Sequence, residues 1–523
     1  MKKTIKNVAF HNLGCKVNSY ELDVVQQKFE EKGYCIVPFD QNADIYIINT
    51  CTVTNIADRK SRQMLHQAKK RNPDSIVVAL GCYVQTDTKK VKLDPCIDLA
   101  IGNNRKKDTV EIVEAWIREH VSDAGYADKA ADGSADGDGT SAALTDDRDL
   151  VDKNDYLADS VIDINHTGEY EEMQLTKTGE HTRAYIKIQD GCNQFCTYCI
   201  IPFARGRVRS RRVEDICKEI KGLVKKGYRE FVLTGIHISS YGVDFTSDSH
   251  KQAETPEDTD YMLTENGQSD GKQTYREQSD ANKNDEVVYF KGISRLLSLI
   301  ETIHEIEGVE RIRLGSLEPR IITDGFAKRM SELSKICPHF HLSLQSGCDA
   351  TLKRMNRHYT TKEYKKGVES LRRYYDNPAI TTDVIVGFPG ETDEEFLCTQ
   401  KFLKEINFFE MHIFPYSRRK NTIAANMPGQ VDGEIKKQRA HELLKLEEEQ
   451  SYQYRVSFLG KEEDVLFEEA KEIDHKWYIL GHTTRYVKVA KEIDDISCAQ
   501  ELSGKIVKVR LTDMLTKDIV VVI

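Results

Sequence analysis

The sequence predicts an α/β protein in three folded parts: an N-terminal open α/β domain, a partial (βα)6 barrel, and a small antiparallel β-barrel at the C-terminus. Three patterns predict it. Over 1–118, apolar runs alternate with helical periodicity. Over 183–417, six strand–helix units follow one another. Over 456–523, apolar and polar residues alternate with turn residues between them.

In the first part, KNVAFHNLG, DIYIINT and SIVVALG read as buried strands. ELDVVQQKFEEKG and ADRKSRQMLHQAKKRN read as helices between them, the order expected of a parallel sheet. In the second part the strands are RAYIKIQDG, EFVLTG, ERIRLGSL, HFHLSLQS, AITTDVIVGFP and FFEMHIFPYS. Six units are too few for a closed eight-stranded barrel. A curved barrel, open on one side to a large substrate, fits them. A charged helical connector spans 418–455. The last part reads as a small barrel from FLGKEEDVLFEEA, HKWYILGHTTRYVKVAKE, LSGKIVKVRLTD and TKDIVVVI.

The net charge of −10 conceals two acidic segments in an otherwise basic chain. Residues 121–180 hold 16 acidic and 4 basic residues; residues 246–286 hold 11 and 4. Both are poor in apolar residues and cannot offset their ordering entropy. They read as a disordered linker and a disordered insertion, which sets the boundaries at 1–120, 121–180, 181–417, 418–455 and 456–523. A mean hydropathy of −0.54 and no long apolar run predict no membrane span. The start MKKTIKNVAFHNLG lacks the apolar core of a secretory signal. The expectation is a cytoplasmic monomer.

The chemistry is carried by cysteine. Cys192, Cys196 and Cys199 stand as C-x-x-x-C-x-x-C in DGCNQFCTYCI. Three thiolates on one loop can each hold one iron of a cubane, leaving the fourth iron open to an exogenous ligand. A structural zinc would need a fourth ligand, and no fourth Cys follows at a matching distance. An odd total of 13 Cys and the absence of a signal disfavour disulfides. Cys15, Cys51 and Cys82 sit at or just past the ends of three predicted strands. Sites in open α/β sheets form at that edge, so these thiols are expected to hold a second cluster.

Nearly the whole chain outside the acidic segments resembles the radical-SAM methylthiotransferases. The resemblance rests on NLGCKVNSYE, INTCTVTNIADRKSRQ, GCNQFCTYCIIPFARGRVRSR, SLQSGCDATLKRMNRHYT, TTDVIVGFPGET and FPYSRR. CKVN after Gly14 and TVTNIADRKSR after Cys51 resemble the branch acting on N6-threonylcarbamoyladenosine in tRNA. The resemblance implies two 4Fe–4S clusters, S-adenosylmethionine (SAM), an external electron donor and a tRNA anticodon loop as partner. It implies that Cys192, Cys196 and Cys199 hold the catalytic cluster that cleaves SAM to a 5′-deoxyadenosyl radical. Cys15, Cys51 and Cys82 would hold the auxiliary, sulfur-delivering cluster. The N-terminal domain would cap the barrel mouth, and the C-terminal barrel would be a TRAM domain.

For SAM, the resemblance points to strand ends: Thr234 and Gly235, Ser316 and Glu318, Gln345 and Ser346, with Asp383 and Tyr198 near the adenosine. For RNA, the arginines after the cluster loop (Arg205, Arg207, Arg209, Arg211 and Arg212) suit phosphate contacts. The final part carries 10 basic and 13 acidic residues, so charge does not favour RNA there. The TRAM resemblance alone suggests Arg485, Tyr486 and Lys488. The implied reaction is methylthiolation of the adenosine 3′ of the anticodon. The alternatives are isopentenyladenosine in tRNA, an aspartate of a ribosomal protein, or a non-catalytic iron–sulfur RNA-binding module.

Overall fold

The computed structural model describes residues 5–120, 160–178, 182–245 and 293–523. The expected insertion at 246–286 and residues 121–159 of the expected linker lie outside them. The chain divides into two compact units: Met1–Thr176 with Ile200–Arg207, and Lys177–Cys199 with Val208–Ile523.

The first unit is a five-stranded sheet in the order β2-β1-β3-β4-β5. Its strands are β1 (Asn7–Asn12), β2 (Cys35–Val37), β3 (Ile45–Thr50), β4 (Ile76–Gly81) and β5 (Leu99–Ile101). All four pairings are parallel. β3 and β4 are buried at every residue, as central strands covered on both faces must be. Helices α1 (Lys16–Glu31), α2 (Asn55–Arg71) and α5 (Thr109–His120) accompany the sheet, with short α3 (Cys82–Thr86) and α4 (Thr88–Lys92) after β4. Thr54 caps α2 by accepting from the Ala57 amide at 3.1 Å. The two flanking strands β2 and β5 escape the sequence reading because three residues are too few to show a period.

The linker expectation over 121–180 does not hold for its described end. Residues 160–176 belong to the first unit, with Ile164, Met173 and Leu175 buried. Gln85 donates to the Ile162 carbonyl (2.8 Å), Tyr20 to that of Met173 (2.6 Å), and the Thr176 amide to Gln27 (2.7 Å). Widely spaced apolar residues anchor a segment whose overall composition is acidic.

The second unit carries six parallel strands in two sheets. One has the order β10-β9-β6 and the other β11-β12-β13. These are β6 (Ala184–Lys187), β9 (Glu230–Thr234), β10 (Arg311–Leu314), β11 (His339–His341), β12 (Ala379–Val386) and β13 (Glu410–Pro415). Single parallel bridges Ile312↔Ile336 and Leu317↔Leu342 lead from the first sheet to the second. An unexpected antiparallel pair, β7 (Gln189–Asp190) and β8 (Arg209–Ser210), flanks the Cys192 loop in sequence. One face of the strands enters the core: Phe231, Leu233, Ile312, Leu314, Ile380 and Val384 meet residues of the surrounding helices. Helices Thr361–Tyr374 and Asp393–Ile406 each begin with a capping box, Thr360 with Glu363 and Thr392 with Glu395.

Helix Gly433–Val456 leads to a closed barrel in the order β14-β15-β16-β18-β17. Its strands are β14 (Glu462–Ile473), β15 (Lys476–Thr483), β16 (Lys488–Ile493), β17 (Ile506–Thr516) and β18 (Ile519–Val522). The barrel is not wholly antiparallel as expected: β16 and β18 pair in parallel. Helix Ile496–Leu502 interrupts the alternation between β16 and β17, so β18 closes the barrel in the direction of β16. No described helix is long and apolar enough to cross a membrane.

The far face of the parallel strands bears charge. Glu230, on β9, is fully enclosed by Arg313 (3.0 Å), Arg311 (3.3 Å) and Arg183 (3.8 Å). The same arginines reach the C-terminal barrel: Arg313 donates to the Thr484 carbonyl (3.0 Å), Arg311 to that of Asp464 (2.7 Å), and Arg183 pairs with Glu468. Tyr486, at φ +66°, stacks on His339 and His482 with ring centroids 5.0 and 4.5 Å away. The guanidinium groups of Arg313 and Arg183 lie 4.8 and 5.1 Å from its ring.

Burial alone would raise the Glu230 carboxyl; Arg313, Arg183 and Arg311 outweigh it and hold it down at about 2. A depressed folded-state value stabilises the fold above the unfolded carboxyl value and is lost as pH falls through about 2. Glu230→Gln should therefore cost about 3–5 kcal/mol at neutral pH, because it strands buried arginines. In chemical denaturation followed between pH 5 and pH 2, the variant should also lose the steepest part of the acid destabilisation.

Candidate active site

β1, β3 and β4 are consecutive in their sheet and parallel, so their carboxyl ends share one edge. Cys15 lies just past β1 and caps α1; Cys51 follows the last residue of β3; Cys82 opens the helix after β4. The turn before Cys15 needs glycine. Gly14 has φ +114°, and a Cβ there would lie 3.1 Å from Cys51 Cβ and 3.3 Å from its Sγ. Asn18 fastens this edge by donating to the Leu13 carbonyl (2.7 Å) and the Thr50 carbonyl (3.1 Å). Asn103 Nδ2 lies 3.5 Å from Cys82 Sγ and donates to the Ala204 carbonyl at 2.7 Å. Burial pushes the Cys51 thiol up to about 11, and the neighbouring Cys82 and Cys15 add to the rise.

The Cys192 loop belongs to the second unit and is held by polar contacts. Gln189 donates to the Asp190 and Gly191 carbonyls (both 2.7 Å) and accepts from the His237 amide (2.8 Å). Gly191 at φ +71° and Phe195 at φ +47° shape the loop. Thr197 is pinned through its amide to Met355 (3.0 Å) and through its hydroxyl to Arg354 (2.9 Å). Asn356 donates to the Phe195 carbonyl at 3.2 Å. Burial pushes the Cys192 thiol up to about 12. Tyr198 meets Phe388 edge-on at 6.3 Å.

Sequence reasoning missed one residue here. Arg357 donates from Nη1 to Cys196 Sγ at 3.2 Å and from Nε to the Tyr359 hydroxyl at 3.1 Å. It lies in KRMNRHYT, a motif used for the resemblance without a role for this arginine.

Zinc–thiolate bonds of about 2.3 Å in a tetrahedron put sulfurs roughly 3.8 Å apart. Among the described residues, the groups with three ligand atoms within 4.8 Å of one another are His66–Asp94–Cys96 and His341–Asp383–His412. Neither cysteine triad is so tight, and sulfurs on separate irons of a cubane stand farther apart than ligands of one ion. Three soft thiolate donors suit three irons of a 4Fe–4S cluster at both places.

The residues expected around SAM fare unevenly. Thr234 is buried at the end of β9, and a Cβ on Gly235 would lie 2.9 Å from Gln189 Oε1. Ser316 is exposed. Glu318 is buried and paired with Arg320 at 2.7 Å. Gln345, at φ +69°, exchanges backbone bonds with Asp383 (2.8 Å) and Ile385 (2.9 Å). Ser346 departs from expectation: it is 1% exposed, its hydroxyl is 3.2 Å from that of Thr399, and it accepts from the Cys348 amide at 3.3 Å. It holds a turn together instead of facing a ligand. Asp383 is half-buried beside His341, at 3.2 Å.

The arginine run is corrected more sharply. Arg205, Arg209 and Arg211 are each 1% exposed and cannot meet phosphates. Arg205 binds both oxygens of Glu21 (2.8 and 3.0 Å) and Asn18 Oδ1 (2.6 Å); Lys106 pairs with Glu21 as well. Arg209 lies 3.7 Å from Asp190, which Lys187 binds at 2.7 Å, and Arg211 pairs with Glu219. Arg207 and Arg212 are exposed. Arg485 is also occupied, by Glu463 (2.9 Å) and the Asp376 carbonyl (3.0 Å), and Tyr486 is held in the stack described above. Lys488 is half-buried at the start of β16. Arginines spaced two apart in RGRVRSR look like a charged surface in sequence, whereas their carboxylate partners lie 8 to 184 residues away.

Comparison with known proteins gives the family. Residues 186–403 match the Radical SAM superfamily, and residues 7–102 match the uncharacterized protein family UPF0004. The chain is 36% identical over 505 residues to threonylcarbamoyladenosine tRNA methylthiotransferase MtaB of Bacillus subtilis, covering 96% of this chain and 93% of that protein. It is 34% identical to the protein of that name from Aquifex aeolicus, covering 92% and 98%. It is 30% identical to tRNA-2-methylthio-N(6)-dimethylallyladenosine synthase of a Thermoanaerobacter species, covering 97% and 91%. The chain thus belongs to the radical-SAM methylthiotransferase family, whose members use SAM and two 4Fe–4S clusters.

Arg205→Met removes the guanidinium from both oxygens of Glu21 and empties the contact with Asn18. It should destabilise the protein by about 3–5 kcal/mol, read as a lower thermal midpoint. Arg207→Met, at an exposed position, should change the midpoint little.

Proposed function

We propose that the protein converts N6-threonylcarbamoyladenosine, 3′ of the anticodon in tRNA, to its 2-methylthio derivative. The observation that carries the reaction class is the pair of cysteine triads, one at a sheet edge and one on the loop after β7. The substrate is supported by two threonylcarbamoyl relatives at 36% and 34% identity, above the 30% of the dimethylallyl relative and of a third threonylcarbamoyl one.

Cys192, Cys196 and Cys199 would hold the catalytic cluster, and Cys15, Cys51 and Cys82 the auxiliary one. When bound, the clusters supply the electron for homolytic cleavage of SAM and the sulfur for insertion into a C–H bond that polar chemistry does not activate. Arg357 holds positive charge against Cys196 and positions the loop. The backbone around Gly235 and Gln345, with Thr234, Ser316, Glu318 and Tyr198, would surround SAM. The six parallel strands would act as a partial barrel, and the closed five-stranded barrel as a TRAM domain. Of the arginine run, Arg207 and Arg212 remain as candidates for RNA phosphates. A tRNA substrate implies a cytoplasmic reaction, and an external donor must supply the electron.

The test is anaerobic turnover of reconstituted protein with SAM, dithionite and tRNA, read by mass spectrometry of nucleosides. The 2-methylthio nucleoside and 5′-deoxyadenosine should both form. Cys196→Ala should abolish both products. Replacing Cys15, Cys51 and Cys82 by Ala should abolish methylthiolation and leave 5′-deoxyadenosine formation. An unmodified tRNA in the presence of SAM cleavage by the wild type would refute the substrate.

Replacing Arg207 and Arg212 together should weaken tRNA binding without sequence preference. It should also reduce the slope of log K against log salt by about 2, measured by fluorescence anisotropy across salt concentrations.

A further inference from the structure

The strand face turned away from the apolar core bears a polar cluster midway along β11–β13. His341 pairs with Thr381 across the β11–β12 ladder, and Asp383 pairs with His412 across β12–β13. Asp383 lies two residues beyond Thr381, so His341, Asp383 and His412 share one face. The alternate residues Phe340, Leu342, Val384 and Met411 enter the core instead.

The cluster is built, not incidental. His341 is fixed at both ring nitrogens, Nδ1 to the Thr381 hydroxyl (3.1 Å) and Nε2 to Asp383 Oδ2 (3.2 Å). Asp383 Oδ1 takes no hydrogen bond among the described residues. The His412 ring runs alongside that of His341, with centroids 6.0 Å apart and planes 26° apart. Asp383 keeps 31% of its side chain exposed although it lies within an eight-residue strand, and His412 is exposed. This inner face is therefore open to a ligand. Glu410, two residues before His412 on the same face, is already paired with Arg455 at 2.6 Å.

We propose that His341, Asp383 and His412 recognise the polar substituent on N6 of the target adenosine; the inference rests on the proposed tRNA substrate. A threonylcarbamoyl group offers ureido N–H donors, a hydroxyl and a carboxylate. Asp383 Oδ1 accepts a ureido N–H, and His412 donates to the carboxylate. A dimethylallyl group offers none of these and would leave the wall desolvated and unpartnered. Sites built to hydrogen-bond a substrate group reject the analogue lacking it by on the order of 10⁴-fold. The cluster is thus the specificity element that separates the two substrate classes named among the relatives.

The experiment uses the full reconstituted protein and three anticodon stem-loops. They carry threonylcarbamoyladenosine, its methyl ester, or dimethylallyladenosine. Turnover is measured by kcat/KM, and binding separately by anisotropy without reductant. The wild type should lose about tenfold to a hundredfold on esterification. His412→Phe should lose a similar factor on the acid and lose nothing further on the ester. His412→Gln, which keeps a donor, should recover part of the loss.

Additive losses from the ester and from His412→Phe would overturn the proposal. So would an equal loss on all three RNAs, the result expected if the cluster held a divalent metal; metal analysis for an ion beyond iron would identify that case. Turnover of all three RNAs without preference would sink the recognition site and keep the reaction. A binding preference for the acid without any methylthio product would sink the reaction and keep the site.

Discussion

The structure depends on strand direction. In a parallel sheet every carboxyl end faces one edge, so residues far apart in sequence meet wherever adjacent strands stop. The sheet order β1-β3-β4 makes three such endings consecutive, and each is followed by a cysteine. The special local conformations at this edge are the positive-φ glycines that precede Cys15 and Cys82, Gly14 and Gly81. The convergence is a property of topology, and Asn18 and Asn103 only refine it. The Cys192 triad is solved differently, by a loop that carries its own ligands and borrows rigidity from Gln189, Thr197 and Asn356.

Charge is the second organising theme. Large side chains among the most deeply buried include Arg205, Arg209, Arg211 and Arg313. Each has an acidic partner, as a buried guanidinium must. Such pairs are weak sources of net stability but fix geometry strictly, because any displacement leaves a charge unmatched. Arg205 and Glu21 keep α1 and residues 200–207 aligned beside the cysteine edge. Glu230 and its arginines bind the floor of the parallel strands to the C-terminal barrel.

Strands were legible where β-branched runs were long enough to show a pattern, as in IYIINT and IVVALG, and the cysteines were legible because each stood at the end of one. β2, β5 and β7 were not, being two or three residues long. Residues 160–178 were misread because composition averages over a window, whereas Ile164, Met173 and Leu175 anchor singly. Burial of Arg205, Arg209 and Arg211 was invisible since pairing with Glu21, Asp190 and Glu219 depends on tertiary contacts. His341, Asp383 and His412 could have been aligned only with the β11–β12–β13 register in hand. The signal existed in part, since His341 and Asp383 each sit at alternate positions opposite apolar core residues.

Residues 200–207 close the first compact unit, although they follow Cys199, which belongs to the second. That unit is consequently discontinuous in sequence. A nascent chain that has emerged only as far as residue 178 still lacks Arg205, which binds both oxygens of Glu21, and Asn103 lacks the Ala204 carbonyl. The first sheet can assemble early, but its cysteine edge reaches its final arrangement only once the Cys192 loop has left the ribosome. A fragment cut at the apparent domain boundary would be an incomplete first unit.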